Sequence, residues 1–142
     1  MKKRITVLGL FLLMIFGIAS VANAAILSSD YMNDWSAGVY SLSRGTVDVT
    51  FEVQAPNTMD KLGAKTIILQ ERATGSSTWN PVYTFSYTND SNMLARKALS
   101  HDYTVSYDNA VSGYSYRAKV YFYAEKGGSD TIEFITSPVK AK

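Results

Sequence analysis

The sequence Gly-Tyr-Ser-Tyr-Arg-Ala-Lys-Val-Tyr-Phe-Tyr-Ala, from Gly113 to Ala124, alternates between two kinds of side chain. Its even-numbered positions are apolar or aromatic, while its odd-numbered positions include Arg117 and Lys119. Successive side chains of a β-strand point to opposite faces, so this alternation predicts one buried row and one solvent-facing row. A helix would scatter the two charges around the apolar set. The stretch therefore predicts a central β-strand with one dry face.

Six further stretches are rich in β-branched and aromatic residues and are separated by turn residues: 39–43, 46–55, 64–72, 82–88, 101–107 and 130–136. Turns at roughly 8–12-residue spacing without a long helix are typical of a β-sandwich of the immunoglobulin or fibronectin type III kind. We therefore predict a seven-stranded antiparallel β-sandwich over residues 37–142. We predict a loop over 58–63, and over 89–100 a crossover with at most a turn or two of helix. The continuous apolar run 67–69 leaves the buried face of the 64–72 strand undecided.

The first 24 residues have the three regions of a secretory signal peptide. Basic residues 2–4 precede an uncharged run over 5–22, and Ala-Asn-Ala at 22–24 is a small-residue cleavage site. An uncleaved membrane anchor is the alternative, because this run approaches the length that spans a bilayer. We predict cleavage before Ala25, release to the extracellular space, no membrane attachment afterwards, and a lead-in segment over 25–36.

The predicted signal peptide changes the charge balance of the chain. The whole sequence has 14 Lys and Arg residues against 12 Asp and Glu, and three of the bases lie in the signal. Residues 25–142 therefore carry 11 bases and 12 acids, a net charge of −1, which gives no reason to expect a nucleic acid partner. The chain has no cysteine, so disulfides and thiolate sites are excluded. A domain of about this size can fold on its hydrophobic core alone.

The stretch 113–120 resembles the sixth strand of fibronectin type III domains, in which a tyrosine follows a glycine by three residues. The resemblance implies that Tyr116 is a tyrosine corner whose hydroxyl bonds back to the backbone near residues 108–110. Most of residues 25–142 also resemble an uncharacterised family of small secreted proteins of Gram-positive bacteria. The shared motifs are Met-Asp-Lys-Leu-Gly-Ala at 59–64, a Gly-x-x-Tyr-x-Ala strand and a Gly-Gly hairpin near the end. That family implies secretion and a fibronectin-like β-sandwich, but no mechanism.

Few side chains suggest chemistry. His101 is the single histidine in the sequence, and without a second histidine or a cysteine it lacks the partners of a triad or a zinc site. A carboxylate pair for glycoside hydrolysis could form in space, but the spacing of the strand glutamates favours no pair: Glu52, Glu71, Glu125 and Glu133. We therefore predict that the protein is not an enzyme and has no cofactor or metal site. A small carboxylate-dependent hydrolase is the alternative.

The outward row of the 113–124 strand is the candidate binding face. Tyr121 and Tyr123 share this row with Arg117 and Lys119, and we expect Ile135 of the next strand beside them. Exposed tyrosines among charges suit sugar rings, a peptide or a second copy of the protein, whereas a cross-strand aromatic ladder would only stabilise the sheet. We predict a secreted binding or structural module, with a carbohydrate-binding module as the alternative. The partner is left open between a cell-surface glycan, a peptide and self-association.

Overall fold

The computed structural model describes residues 29–142, which form an antiparallel all-β structure. The predicted signal peptide 1–24 and the first residues of the lead-in lie outside this range. The strands are β1 (Asp34–Tyr40), β2 (Val47–Arg72), β3 (Asn80–Ser86), β4 (Leu94–Tyr107), β5 (Ser115–Glu125), β6 (Ser129–Ile135) and β7 (Val139–Lys140). Between residues 29 and 142 the helical structure is limited to a three-residue 3-10 helix, Ser91–Met93, and no helix there could span a membrane. The prediction of an all-β fold with seven antiparallel strands is confirmed, although the chain divides into strands differently.

β2 organises the fold. It is 26 residues long; its residues 48–54 pair with β1 on one side, and its residues 47–54 pair with β4 on the other. Its residues 61–72 pair with β5, while β3 pairs with residues 66–71. Since β6 and β7 pair with β5, all seven strands belong to one hydrogen-bonded sheet. We call β1, β4 and residues 47–54 the N-terminal arm, and β3, β5, β6, β7 and residues 61–72 the C-terminal arm.

The buried side chains of the two arms pack against each other. Phe51 of the N-terminal arm meets Phe122 of the C-terminal arm edge to face, with ring centroids 6.0 Å apart, and both rings are buried. Burying an aromatic side chain of this size contributes roughly 1.5–3 kcal/mol. Along β5 the even-numbered residues are buried and the odd-numbered ones half-buried, as the alternation predicts. This packing is consistent with a sandwich, built here from one continuous sheet.

The predicted loop over 58–63 is wrong, because this segment is part of β2. Residues 59 and 61–63 pair with β4, and residues 61–64 pair with β5 on the other side. Pro56 does not end the strand. Residues 55–58 have no ladder partner on β1 or β4, so the missing N–H of the proline breaks no sheet hydrogen bond.

The predicted crossover over 89–100 is also wrong in its second half, where β4 begins at Leu94. Pairing with β2 overrides the weak helical tendency of this segment, as tertiary context commonly does. The structure also shows which face of residues 64–72 is buried, which the continuous apolar run 67–69 left undecided. Ile67 and Leu69 are buried, while Ile68 is half-buried on the outer side.

The N terminus of the described chain is more ordered than a lead-in. β1 begins at Asp34, inside the predicted lead-in, and Met32 just before it is buried in the core. The strand expected at 39–43 is therefore displaced toward the N terminus. The short β7, which follows Pro138, was not predicted.

Candidate functional site

The structure brings the five residues of the predicted binding face onto one surface of the C-terminal arm. Lys119 is paired with Ile135 of β6 on one side and with Ile68 of β2 on the other, so the row extends across three strands. Ile135 is 44% exposed. The β5 members of the row are half-buried: Arg117, Lys119, Tyr121 and Tyr123. We call these five residues, together with Trp79 and Arg72 described below, the β5 face.

The two tyrosines of the β5 face are held by carboxylates. Tyr121 lies opposite Glu133 on β6, and its hydrogen bond to that carboxylate, followed by partial desolvation, raises the pKa of Tyr121. The Tyr123 hydroxyl donates to Glu125, which raises the pKa of Tyr123. The Lys65 ammonium lies 5.1 Å from the centroid of the Tyr123 ring. Both rings are therefore fixed in place and only partly open to solvent, not fully exposed.

Trp79 belongs to this surface, although the sequence analysis did not assign it there. The guanidinium of Arg117 lies 4.5 Å from the centroid of the Trp79 ring, and that of Arg72 lies 4.7 Å from it. Arg117 also donates from Nε to Gln70 Oε1 at 2.8 Å, since β2 pairs Gln70 with Arg117. The sequence feature that could have pointed to this contact is a tryptophan just before β3. Only the register of β2 with β5 shows which arginines its ring meets.

Within residues 29–142 the cations of the β5 face form no ion pair with a carboxylate. Two ion pairs are formed within residues 29–142: Lys61 with Glu125, and Lys97 with Asp60. Arg72, Arg117 and Lys119 take part in neither. The guanidiniums of Arg72 and Arg117 beside the Trp79 ring, and the ammonium of Lys119 on the same surface, are therefore available to a partner that carries negative charge.

Tyr116 lies on the opposite, buried row of β5 and is fully buried. The backbone N–H of Val111 donates to the Tyr116 hydroxyl at 2.8 Å, and that hydroxyl donates to Glu71 Oε2 at 3.0 Å. A tyrosine that bonds to the backbone a few residues upstream has the form of a tyrosine corner, here at Val111 and not at 108–110. Burial of the ring, more than its hydrogen bonds, raises the pKa of Tyr116 to about 12.

His101 holds a turn in place. It is next to Asp102 in sequence, but neighbours on a strand point to opposite faces, so the two do not form a pair. His101 Nε2 donates to the backbone carbonyl of Asn92 at 2.7 Å, and its ring stacks beside Tyr103 at 6.3 Å between centroids. In the described range 29–142 no group of three or more His, Asp or Glu residues could hold a metal ion.

The four glutamates considered for a hydrolase lie at three separate places. Glu52 is on the outer face of the N-terminal arm, where β4 pairs it with Asp102. Glu71 accepts a hydrogen bond from the buried tyrosine hydroxyl of β5. Glu125 and Glu133 accept from the two tyrosines of the β5 face. Three of the four carboxylates are thus engaged by tyrosine hydroxyls.

No protein-family model and no curated protein sequence matches this chain. Among solved structures the chain is similar to Spo0M, a sporulation control protein from Bacillus subtilis, with a TM-score of 0.40 and 10% sequence identity. The match covers 73% of this chain and 49% of that chain, so this chain spans about half the length of Spo0M. A likeness at this level says nothing about function. The resemblance to secreted proteins of Gram-positive bacteria is carried by sequence motifs alone.

Proposed function

We propose that this protein is a secreted, non-enzymatic binding protein whose partner docks on the β5 face. The observation that carries the proposal is the placement of Arg72 and Arg117 on the ring of Trp79 without a carboxylate in an ion pair with either, among the residues described. A ladder that only stabilised the sheet would gain nothing from two like charges held close together. A partner rich in oxygen atoms would be attracted by them.

A carbohydrate is the partner that the tyrosines favour. Tyr121 and Tyr123 offer apolar ring faces to sugar C–H groups, while Glu133 and Glu125 beside them can accept hydrogen bonds from sugar hydroxyls. Aromatic surface with a few fixed polar groups is the usual composition of a small-ligand site. A peptide or a second copy of the chain is the other class of partner.

Four observations support a non-enzymatic extracellular role. The candidate carboxylates are dispersed or held by tyrosines, and His101 is committed to a turn. The N-terminal sequence has the form of a cleavable signal, and the residues after it carry a net charge of −1. We therefore propose release outside the cell with no membrane attachment, no nucleic acid partner and no cofactor. The carboxylate-dependent hydrolase has the weakest support.

The test is the double substitution Tyr121→Ser with Tyr123→Ser, compared with Tyr40→Ser. Tyr40 is 50% exposed on the outer face of the N-terminal arm, so it is a matched surface tyrosine outside the proposed site. Wild type and variants are applied to an array of glycans and peptides, and the best ligand is then titrated calorimetrically. The double variant is expected to stay folded, because cross-strand pairs contribute on the order of 0.2–1 kcal/mol each. It should lose binding that Tyr40→Ser retains.

Two results would count against the proposal. Unfolding of the double variant would show that the two rings serve the core. If Tyr40→Ser lost as much binding as the double variant, or if the wild type bound no ligand, the β5 face would not be the binding site.

A further inference from the structure

A cavity of about 210 Å³ opens at the end of the β5 face where β5 begins. It lies between the turn that follows β2 and the short strand β7. Its side-chain lining is Arg72, Thr74, Ser76, Ser115 and Lys140, and Gly75 and Gly113 complete the wall. Ser115 is on the same outward row of β5 as Tyr121 and Tyr123, so the cavity adjoins the β5 face.

The lining of this cavity offers hydrogen-bond donors and positive charge. Arg72 and Lys140 bring two cations, and neither forms an ion pair within residues 29–142. Among the residues that the structure describes, no carboxylate lines the cavity. The Ser76 hydroxyl oxygen accepts from the Thr78 N–H at 3.1 Å, which leaves its own hydrogen free to donate. A concave site whose charged groups are all donors matches the chemistry of an oxyanion.

The turn at the cavity is built to stay open. Gly75 has φ +80°, and a side chain at that position would point into open space. The Ser76 N–H donates to the Ala73 carbonyl at 3.0 Å, and the Thr74 hydroxyl donates to the Gly113 carbonyl at 3.1 Å. These bonds hold the turn against the residues just before β5, with Thr74 and Ser76 at the wall of the cavity.

A third cation lies beside the cavity. The distances of Arg72 and Arg117 from the Trp79 centroid, 4.7 and 4.5 Å, place the two guanidiniums no more than about 9 Å apart. Like charges this close repel each other, and an anion between or beside them relieves the repulsion. The indole ring holds Arg72 at the cavity, so its guanidinium is positioned before a ligand arrives.

We propose that this cavity binds the oxyanion group of an acidic polysaccharide, a carboxylate, sulfate or phosphate, while the polymer lies along the β5 face. The inference rests on the proposed function of the β5 face and gives it a ligand class. The guanidinium of Arg72 and the ammonium of Lys140 bind the negative charge of the oxyanion, and the Ser76 hydroxyl donates a hydrogen bond to it. The cavity is wide enough for such a group with water beside it.

The test uses three polymers: dextran sulfate, polygalacturonate and neutral dextran. Their binding is measured by calorimetry for the wild type, Arg72→Gln, Lys140→Gln and Lys126→Gln. Lys126 follows the opposite end of β5 and controls for the loss of one positive charge. Either cavity variant should weaken binding of the acidic polymers roughly tenfold or more, while Lys126→Gln should change it less than about twofold. The polymer that binds tighter identifies the anion as sulfate or carboxylate.

Three outcomes would overturn the inference. Equal weakening by all three substitutions would mean unspecific attraction, and failure of the wild type to bind either acidic polymer would leave the cavity without its ligand. A change in sedimentation of Arg72→Gln without a change in polymer binding would identify a second copy of the chain as the occupant. Thermal melting of each variant shows whether it is still folded, so that unfolding is not mistaken for a loss of binding. Lys140→Gln is expected to disturb the fold least, because Lys140 is exposed on β7.

The inference and the proposed function can fail separately. Inorganic sulfate is titrated into the wild type, Arg72→Gln and the Tyr121→Ser with Tyr123→Ser variant, with tryptophan fluorescence as the signal, since Trp79 contacts Arg72. A sulfate response that survives the tyrosine substitutions but not Arg72→Gln supports the cavity even if the tyrosine row binds nothing. Polymer binding that needs the tyrosines but neither Arg72 nor Lys140 supports the tyrosine row of the β5 face as the binding surface and overturns the cavity.

Discussion

A single hydroxyl group ties the start of β5 to two other parts of the chain. The Tyr116 hydroxyl oxygen accepts from the Val111 N–H, and its O–H donates to Glu71, so the group closes the loop before β5 and links it to β2. The ring around it is fully buried. Both partners need the hydroxyl, because a polar group buried without a hydrogen bond costs more than the bond contributes when formed.

Replacing Tyr116 with phenylalanine should therefore destabilise the protein by about 1–2 kcal/mol. The substitution keeps the ring and its packing but leaves the Val111 N–H and the Glu71 carboxylate without their partner. Urea denaturation measures the midpoint and the slope. We expect a lower midpoint with an unchanged slope, since the area exposed on unfolding is the same. An unchanged midpoint would mean that the two hydrogen bonds add nothing to stability.

The same residue should make the protein sensitive to alkali. Burial raises the pKa of Tyr116 to about 12, whereas an unfolded tyrosine ionises near 10. Between these values the folded state keeps a proton that the unfolded state has lost, so stability falls by about 1.4 kcal/mol per pH unit. Below pH 10 this contribution is fully present. Denaturation between pH 9 and 12 should show a steeper decline for wild type than for Tyr116→Phe; parallel declines would contradict the assignment.

At the scale of the strand, β2 depends on a glycine where it is paired on both sides. Gly63 is opposite Leu94 of β4 and Tyr123 of β5. A Cβ placed on Gly63 would lie far inside the van der Waals contact distance from the Met93 carbonyl oxygen, and 3.1 Å from the His101 ring. The 3-10 helix can therefore sit against β2 only because residue 63 has no side chain.

We expect Gly63→Ala to cost about 3 kcal/mol, because a backbone carbonyl cannot move aside as a flexible side chain can. Gly127→Ala is the matched control. Gly127 has φ +67° but open space around its Cβ position, so this change should cost only the backbone strain of about 1–2 kcal/mol. Thermal melting of both variants measures the difference. Equal costs would mean that the turn at Met93 moves freely.

The strand boundaries show how far local sequence determines this fold. Alternation over 113–124 predicts the buried and outer rows of β5, because the period of two is a local property. The end predicted at Pro56 fails, since a proline interrupts a strand only where its N–H would be needed in the ladder. Trp79 on Arg117 could not be predicted, because that contact depends on the register of β2 with β5. Pairing between residues more than 40 positions apart leaves no local signal.

At the scale of the molecule, the two outer faces differ in charge. Where β1, residues 47–54 of β2 and residues 100–107 of β4 pair, the outward positions of the N-terminal arm carry four acids and neither Lys nor Arg: Asp34, Asp48, Glu52 and Asp102. Among the residues described, the outer face of the C-terminal arm carries Arg72, Arg117 and Lys119, none of them in an ion pair, together with Glu125 and Glu133. An anionic partner is attracted to the end of the C-terminal arm where Arg72 and Arg117 meet at Trp79, and it is repelled by the acids of the N-terminal arm. The charge of −1 predicted for residues 25–142 conceals this asymmetry.

The acidic face should therefore cost stability. Glu52 and Asp102 are directly opposite each other on β2 and β4, and like charges in that position destabilise a sheet. We expect Glu52→Gln with Asp102→Asn to raise the free energy of unfolding by up to about 1 kcal/mol at low salt. In 1 M NaCl the gain should disappear, because charges are screened within about 3 Å. Asp34→Asn is the control, since its partner Gln54 is neutral, and it should change little. Urea denaturation at both salt concentrations measures the effect. A loss of stability in the double variant would instead mean that the two carboxylates stabilise the face they share.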